Sequence, residues 1–189
     1  MLLTTIVLAA RSAGAAEDTA VEARRQGDAV VVSARATLRA PLEVVWSTLT
    51  DYDHLSEFIP GMRRSRLLQY RGSAAIVEEL GEARFLFLSF PIDVTLSSVE
   101  HPPHEIEVHV LRGNLRRLDG SYRIVPRADG SLVLHWRGLI EPATPLPPLA
   151  GEWLMRRNVE RQFLGMVAEI ERRAGLISSA SRTTPCCAH

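Results

Sequence analysis

The chain has 189 residues, 46% hydrophobic and 23% charged. This suits one globular domain with a sizeable core and leaves little room for two. Its 22 basic and 22 acidic residues cancel to a formal charge of zero, so no bulk electrostatic pull toward nucleic acid or anionic lipid is expected. Every basic residue is Arg and none is Lys, which reads as a composition bias before it reads as a need for bidentate contacts.

Met1 to Ala10 is an apolar run too short to span a bilayer. Ala13-Gly14-Ala15 follows with small residues at cleavage-type spacing, then Glu17 and Asp18. The segment reads as a secretory signal peptide, although no basic residue precedes the run and Arg11 interrupts its end. Residues 1–20 are therefore set apart as a signal peptide or disordered N-terminus, with a periplasmic or secreted location as the expectation. A cytoplasmic location is the alternative.

From Ala29 to Leu38 the apolar side chains alternate, with Val30, Val32, Ala34, Ala36 and Leu38 on one face. Period two predicts a half-buried strand. Pro41 sits where a first helical turn tolerates it, and Val45, Trp46 and Leu49 follow at helical spacing. Asp51 and Asp53 flank a break at which either can cap a second short helix carrying Leu55, Phe58 and Ile59. Pro60-Gly61 ends it.

Strands are expected at 63–71, 74–80, 83–90, 92–100, 104–111, 117–125 and 131–140, separated by turn residues that favour a meander of antiparallel hairpins. Gly81 is read as one of those separators, and Pro91 as a bulge or a break between strands rather than a central ladder position. Glu78, Glu79 and Glu82 are then carboxylates at a solvated hairpin end. The four prolines within residues 141–150 exclude a helix interior and predict a stiff loop, which either simply connects or acts as a lid jointed at Gly151. Over 152–173, Met155, Val159, Phe163, Met166, Val167 and Ile170 form one helical stripe, with arginines and glutamates outward. Residues 174–189, which include Cys186, Cys187 and His189, read as a disordered tail. Adjacent cysteines rarely bridge each other, so no disulfide framework is expected.

A meander needs its apolar face covered, and the long helix carries a matching stripe. The expected fold is α+β: a helix-grip fold, with a curved antiparallel sheet wrapped around a long C-terminal helix and two short helices after the first strand. At this point Ala40-Pro41-Leu42-Glu43-Val44-Val45-Trp46, continuing to Asp51-Tyr52 and Phe58-Ile59-Pro60-Gly61, resembles the START-like superfamily. Within it the likeness is to the polyketide cyclase/dehydrase and Coq10-type, coenzyme Q-binding branch. Leu118-Asp119-Gly120-Ser121-Tyr122 and the helix from Trp153 to Ile170 add to the resemblance, which covers about residues 29–173.

The resemblance implies a cavity between sheet and helix that takes a hydrophobic small molecule, whether lipid, quinone or polyketide-like. Transient membrane-surface contact stays open, and no cofactor is expected. The fold hosts carriers, aromatase/cyclases and a ribosome-association toxin, so a cyclase/dehydrase enzyme and an interaction protein stand as alternatives. No catalytic motif or metal set appears; His101-Pro102-Pro103-His104 suits a turn. The residues expected to line the pocket are Phe85, Phe87, Tyr122, Leu134, Trp136, Trp153, Met155, Val159 and Phe163. Arg84, Tyr122, His109 and His135 are candidates for holding a polar head. For each aromatic taken singly, core packing is the plainer reading.

Overall fold

The structure is a computed structural model that describes residues 17–85, 88–144 and 151–182. Among them the elements run β1 (Glu17–Gln26), β2 (Ala29–Leu38), α1 (Leu42–Leu49), α2 (Leu55–Phe58), β3 (Met62–Arg71), β4 (Ala74–Phe85), β5 (Leu88–His101), β6 (Glu105–Gly113), β7 (Leu115–Pro126), β8 (Leu132–Pro142) and α3 (Gly151–Arg182). The strands make one antiparallel, curved open sheet in the order β1-β2-β8-β7-β6-β5-β4-β3. The chain lays down the β1–β2 hairpin, crosses through α1 and α2 to the far edge, and meanders back until β8 pairs with β2. Helix α3 then lies along the concave face, the expected helix-grip arrangement.

The core follows from the two periodicities. On β2 the residues that alternate in sequence, Val30, Val32, Ala34, Ala36 and Leu38, are all buried. On α3 the stripe Val159, Phe163, Met166, Val167 and Ile170 is buried as well. Burying a side chain of this size contributes about 1.5–3 kcal/mol each. The two short helices are tied to α3 by charge. Arg173 donates to Asp51 Oδ2 at 2.9 Å and to Glu169 Oε1 at 2.7 Å, and its guanidinium lies 5.3 Å from the centre of the Phe58 ring.

Several boundaries differ from expectation. A strand, β1, occupies residues 17–26 and pairs along β2, so the folded unit starts before Ala29 and includes part of the segment set apart at the N-terminus. Residues 1–16 lie outside the described residues. The seven strands expected between 63 and 140 are six among the described residues: neither Gly81 nor Pro91 breaks a strand, and the division falls instead between Phe85 of β4 and Leu88 of β5, inside the strand expected at 83–90. Gly81 sits inside β4 opposite Ile92, and a Cβ there would come within 2.6 Å of the Gly61 carbonyl oxygen; the glycine marks a close backbone approach. Pro91 sits opposite Glu82, whose N–H donates to the Gly61 carbonyl at 2.8 Å, away from β5. The missing N–H of Pro91 therefore falls on the side where β6 has already ended.

Asp51 and Asp53 do not cap α2, whose N-cap residue is His54 and which has no side-chain cap. Asp51 instead bonds the His54 ring at 2.6 Å and Arg173, and Asp53 accepts the Leu67 N–H at 2.8 Å. Helix α3 runs beyond the expected 152–173 to Arg182, taking in part of the segment read as a disordered tail. Residues 183–189, with both cysteines, lie outside the described residues, as do residues 145–150 of the proline-rich loop.

Candidate functional site

The long helix does not fill the concave side. Between α3 and the sheet lies a cavity of about 340 Å³, within the range of small-molecule sites. Met155, Val159, Phe163 and Met166 form its helical wall. Leu96, Ile106, Val108 and Leu118 are among the residues of its sheet wall, and Leu49, Tyr52, Leu55 and Ile59 close it from the α1–α2 side. Alternation on the strands and the i, i+4 step on the helix turn these side chains toward a common interior.

Trp136 dominates the wall at β7 and β8. It stands opposite Tyr122 in the ladder, and the two ring centres are 4.6 Å apart with planes tilted by 40°. Gly120 and Gly138 are themselves paired beside it. A Cβ on Gly120 would come within 2.4 Å of Trp136 Cη2, and one on Gly138 within 2.9 Å of Cζ2. The indole therefore lies across a floor of bare backbone. With a side chain at either position it could not lie so close to the sheet.

Three glutamates of β4 have different fates. Glu78 pairs with Arg64 at 3.2 Å. Glu82 is buried and accepts from Arg63 at 2.6 Å and from the Ser89 hydroxyl at 2.8 Å. Glu79 faces the cavity and, among the described residues, has neither a hydrogen bond nor an ion pair. Burial without compensation pushes its carboxyl up from 4.5 to about 7. Burial and the nearby Glu79 carboxylate also push the Tyr122 phenol up. The solvated hairpin end expected for Glu78, Glu79 and Glu82 is therefore corrected. The strand continues through Gly81, and the two faces to which neighbouring glutamates point are an Arg-paired exterior and the cavity.

The remaining polar lining is neutral. Ser98 comes from β5, and Asn158 and Gln162 project from α3 one turn apart. Asn114 ties β5 down where β6 stops, accepting from Asp93 N–H at 3.0 Å and donating to the Pro91 carbonyl at 2.7 Å. Tyr52 donates to Glu100 Oε1 at 3.0 Å, and burial together with that carboxylate pushes its phenol up.

Of the pocket residues read from sequence, Tyr122, Trp136, Met155, Val159 and Phe163 line the cavity. Leu134 does not: it faces inward, but it is wholly buried in the packed core together with Leu38, Val45 and Ile170. Trp153 does not either, because it falls outside the helical stripe and is 49% exposed. Phe87 and the side chain of Phe85 lie outside the described residues, as does the side chain of Arg84. His109 is on the outer face, 3.0 Å from Asp119, and His135 is exposed, so neither reaches the cavity. Sequence reasoning missed Glu79, Asn158 and Gln162. The helical pair had a visible signal, since both interrupt the apolar stripe at its own spacing.

Residues 38–164 match the model of the family described as polyketide cyclase / dehydrase and lipid transport. The chain belongs to that family. No curated protein matches the chain. Among solved structures, it is similar to a STAR-related lipid transfer protein fragment from Xanthomonas axonopodis, with a TM-score of 0.66 and 15% identity over 84% of this chain and 96% of that one. It is also similar to the Zhui aromatase/cyclase from Streptomyces sp. R1128, with a TM-score of 0.63 and 17% identity over 81% and 98%. A START superfamily protein from Mycobacterium smegmatis gives a TM-score of 0.61 and 16% identity over 78% and 98%. At these identities the likenesses establish the fold.

Proposed function

We propose that this family member binds and carries a hydrophobic small molecule, a lipid, a quinone or a polyketide-like compound, in the cavity between sheet and α3. The observation that carries the reading is the cavity itself: about 340 Å³ left open in a domain whose surrounding core is closely packed, walled mainly by apolar side chains. Each ligand methylene buried there contributes about 0.8 kcal/mol, so eight carbons contribute roughly 6 kcal/mol before association costs. Extraction of the protein from its native host, followed by mass spectrometry of the solvent phase, identifies the cargo. A Val108→Trp variant that keeps its far-UV circular dichroism should lose the bound molecule. Retention of that molecule would place it on the outer surface and overturn the reading.

The carrier reading extends to export. Cleavage after Ala15 would leave the strand that starts at Glu17 intact, and sequencing the mature N-terminus checks it. A second reading, a cyclase/dehydrase-type enzyme, is favoured by Glu79, an acid near neutrality beside a phenol within an apolar chamber. In that reading the carboxylate takes a proton from a carbon between two carbonyls and returns it to a departing hydroxyl as water. Turnover of a poly-β-ketone that disappears in Glu79→Gln would favour the enzyme. Tight binding without turnover favours the carrier.

A further inference from the structure

The cavity has an uneven charge inventory. The chain contains 22 arginines, yet among the described lining residues there is no Arg and no His, and the one carboxyl is Glu79. Its neighbours on β4 are matched to cations, Glu78 to Arg64 and Glu82 to Arg63, whereas Glu79 has no partner among the described residues. An interior carboxyl with nothing to bond is costly, and a ligand group that donates to it removes that cost.

The surroundings indicate which group does so best. Tyr122, close enough to feel the Glu79 charge, packs at a tilt against Trp136, so aromatic rings adjoin the acid. A carboxylate next to aromatic rings favours a cation on both counts, through the ion pair and through the ring quadrupole. From the other elements facing the cavity come Tyr52, a phenol, and the neutral Ser98, Asn158 and Gln162. None of these supplies a positive charge to compete for Glu79 or to hold an anionic head.

We infer that Glu79 selects the polar end of the ligand, so that the cavity takes amphiphiles whose buried end is a protonated amine, accepts neutral hydroxyl ends less well, and turns away carboxylate ends. The inference rests on the hydrophobic-carrier reading and narrows it to a ligand class. Because the Glu79 carboxyl is pushed up to about 7, amine binding, which needs the ionised form, strengthens as pH rises from 6 to 8.

The test uses decylamine, decanol and decanoate, three probes with one chain length and different heads, titrated calorimetrically into the whole protein. At pH 8 decylamine should bind more tightly than decanoate by on the order of tenfold or more, since a factor of ten needs only one pKa unit's worth of differential interaction. Between pH 6 and pH 8 decylamine affinity should rise about tenfold, following the ionised fraction of Glu79. In Glu79→Gln the amine preference and its pH dependence should both collapse. The wild-type ranking stands as a test whether or not the variant folds. Equal binding of the three probes, or a ranking unchanged in a folded Glu79→Gln, overturns the inference and leaves the carrier reading in place. Failure of all three to bind overturns both.

Discussion

Glu79 also makes a prediction about the empty protein that needs no ligand. Raising a carboxyl from 4.5 in the unfolded chain to about 7 in the folded one corresponds to about 3 kcal/mol, a large fraction of a domain's typical stability of about 5–15 kcal/mol. The folded state holds this proton more tightly than the unfolded state. The stability linked to Glu79 is therefore fully present below pH 4.5, is lost as pH rises toward 7, and stays lost above it. Glu79→Gln keeps the shape and removes the ionisation. Urea denaturation followed by far-UV circular dichroism should give wild type and variant nearly equal stability at pH 4.5. At pH 8 the variant should be more stable by about 3 kcal/mol, a midpoint shift on the order of 1–3 M at usual urea slopes. A difference between the two proteins that is the same at both pH values would refute the assignment of Glu79 as an uncompensated interior acid.

Other outcomes follow from the packing. Gly120→Ala puts a methyl within 2.4 Å of the Trp136 ring; about 1–3 kcal/mol of destabilisation and an altered near-UV tryptophan signal are expected in thermal denaturation and circular dichroism. Gly165→Ala brings a Cβ within 2.6 Å of the Phe58 carbonyl oxygen and against Pro60, wedging α3 off α2, and should show a similar loss in urea. Arg173→Ala removes bonds to Asp51 and Glu169 and should cost about 1–3 kcal/mol at neutral pH. The Arg172 bond, together with that of Arg173, holds the Glu169 carboxyl down at about 2. Stability from Glu169 is therefore present above about 4.5 and is lost as pH falls toward 2, so an acid titration of the variant should show a shallower loss than wild type.

The order of the elements was readable because each has its own periodicity. Alternation from Val30 to Leu38 on β2 and the stripe from Val159 to Ile170 on α3 are both buried as written. Punctuation was less reliable, since a glycine that admits a neighbouring backbone and a proline whose missing N–H faces an empty ladder position look the same in sequence as turn residues. Strand β1 was hidden because its residues adjoin an apolar leader-like segment and carry many charges. Within the cavity, direction along one face was legible, as for Tyr122 and Trp136, but depth was not. Leu134 shares that face and falls where the core closes. Glu79 was missed for a related reason: alternation correctly sends Glu78 and Glu79 to opposite faces, but only the assembled sheet shows that one of those faces encloses a void.

The open sheet leaves two borders, β1 and β3, and both are poorly suited to accepting another strand. The β3 border carries Arg63, Arg64, Arg66 and Arg71, has two register irregularities, and has the Leu67 N–H already occupied by Asp53. The β1 border carries Glu22, Arg24 and Arg25 and a left-handed kink at Asp18. Charge and irregular spacing at a rim discourage templated addition of a further chain. The protein can thus keep a large uncompleted sheet, and the hollow inside it, without offering its margins as a seed for fibril growth.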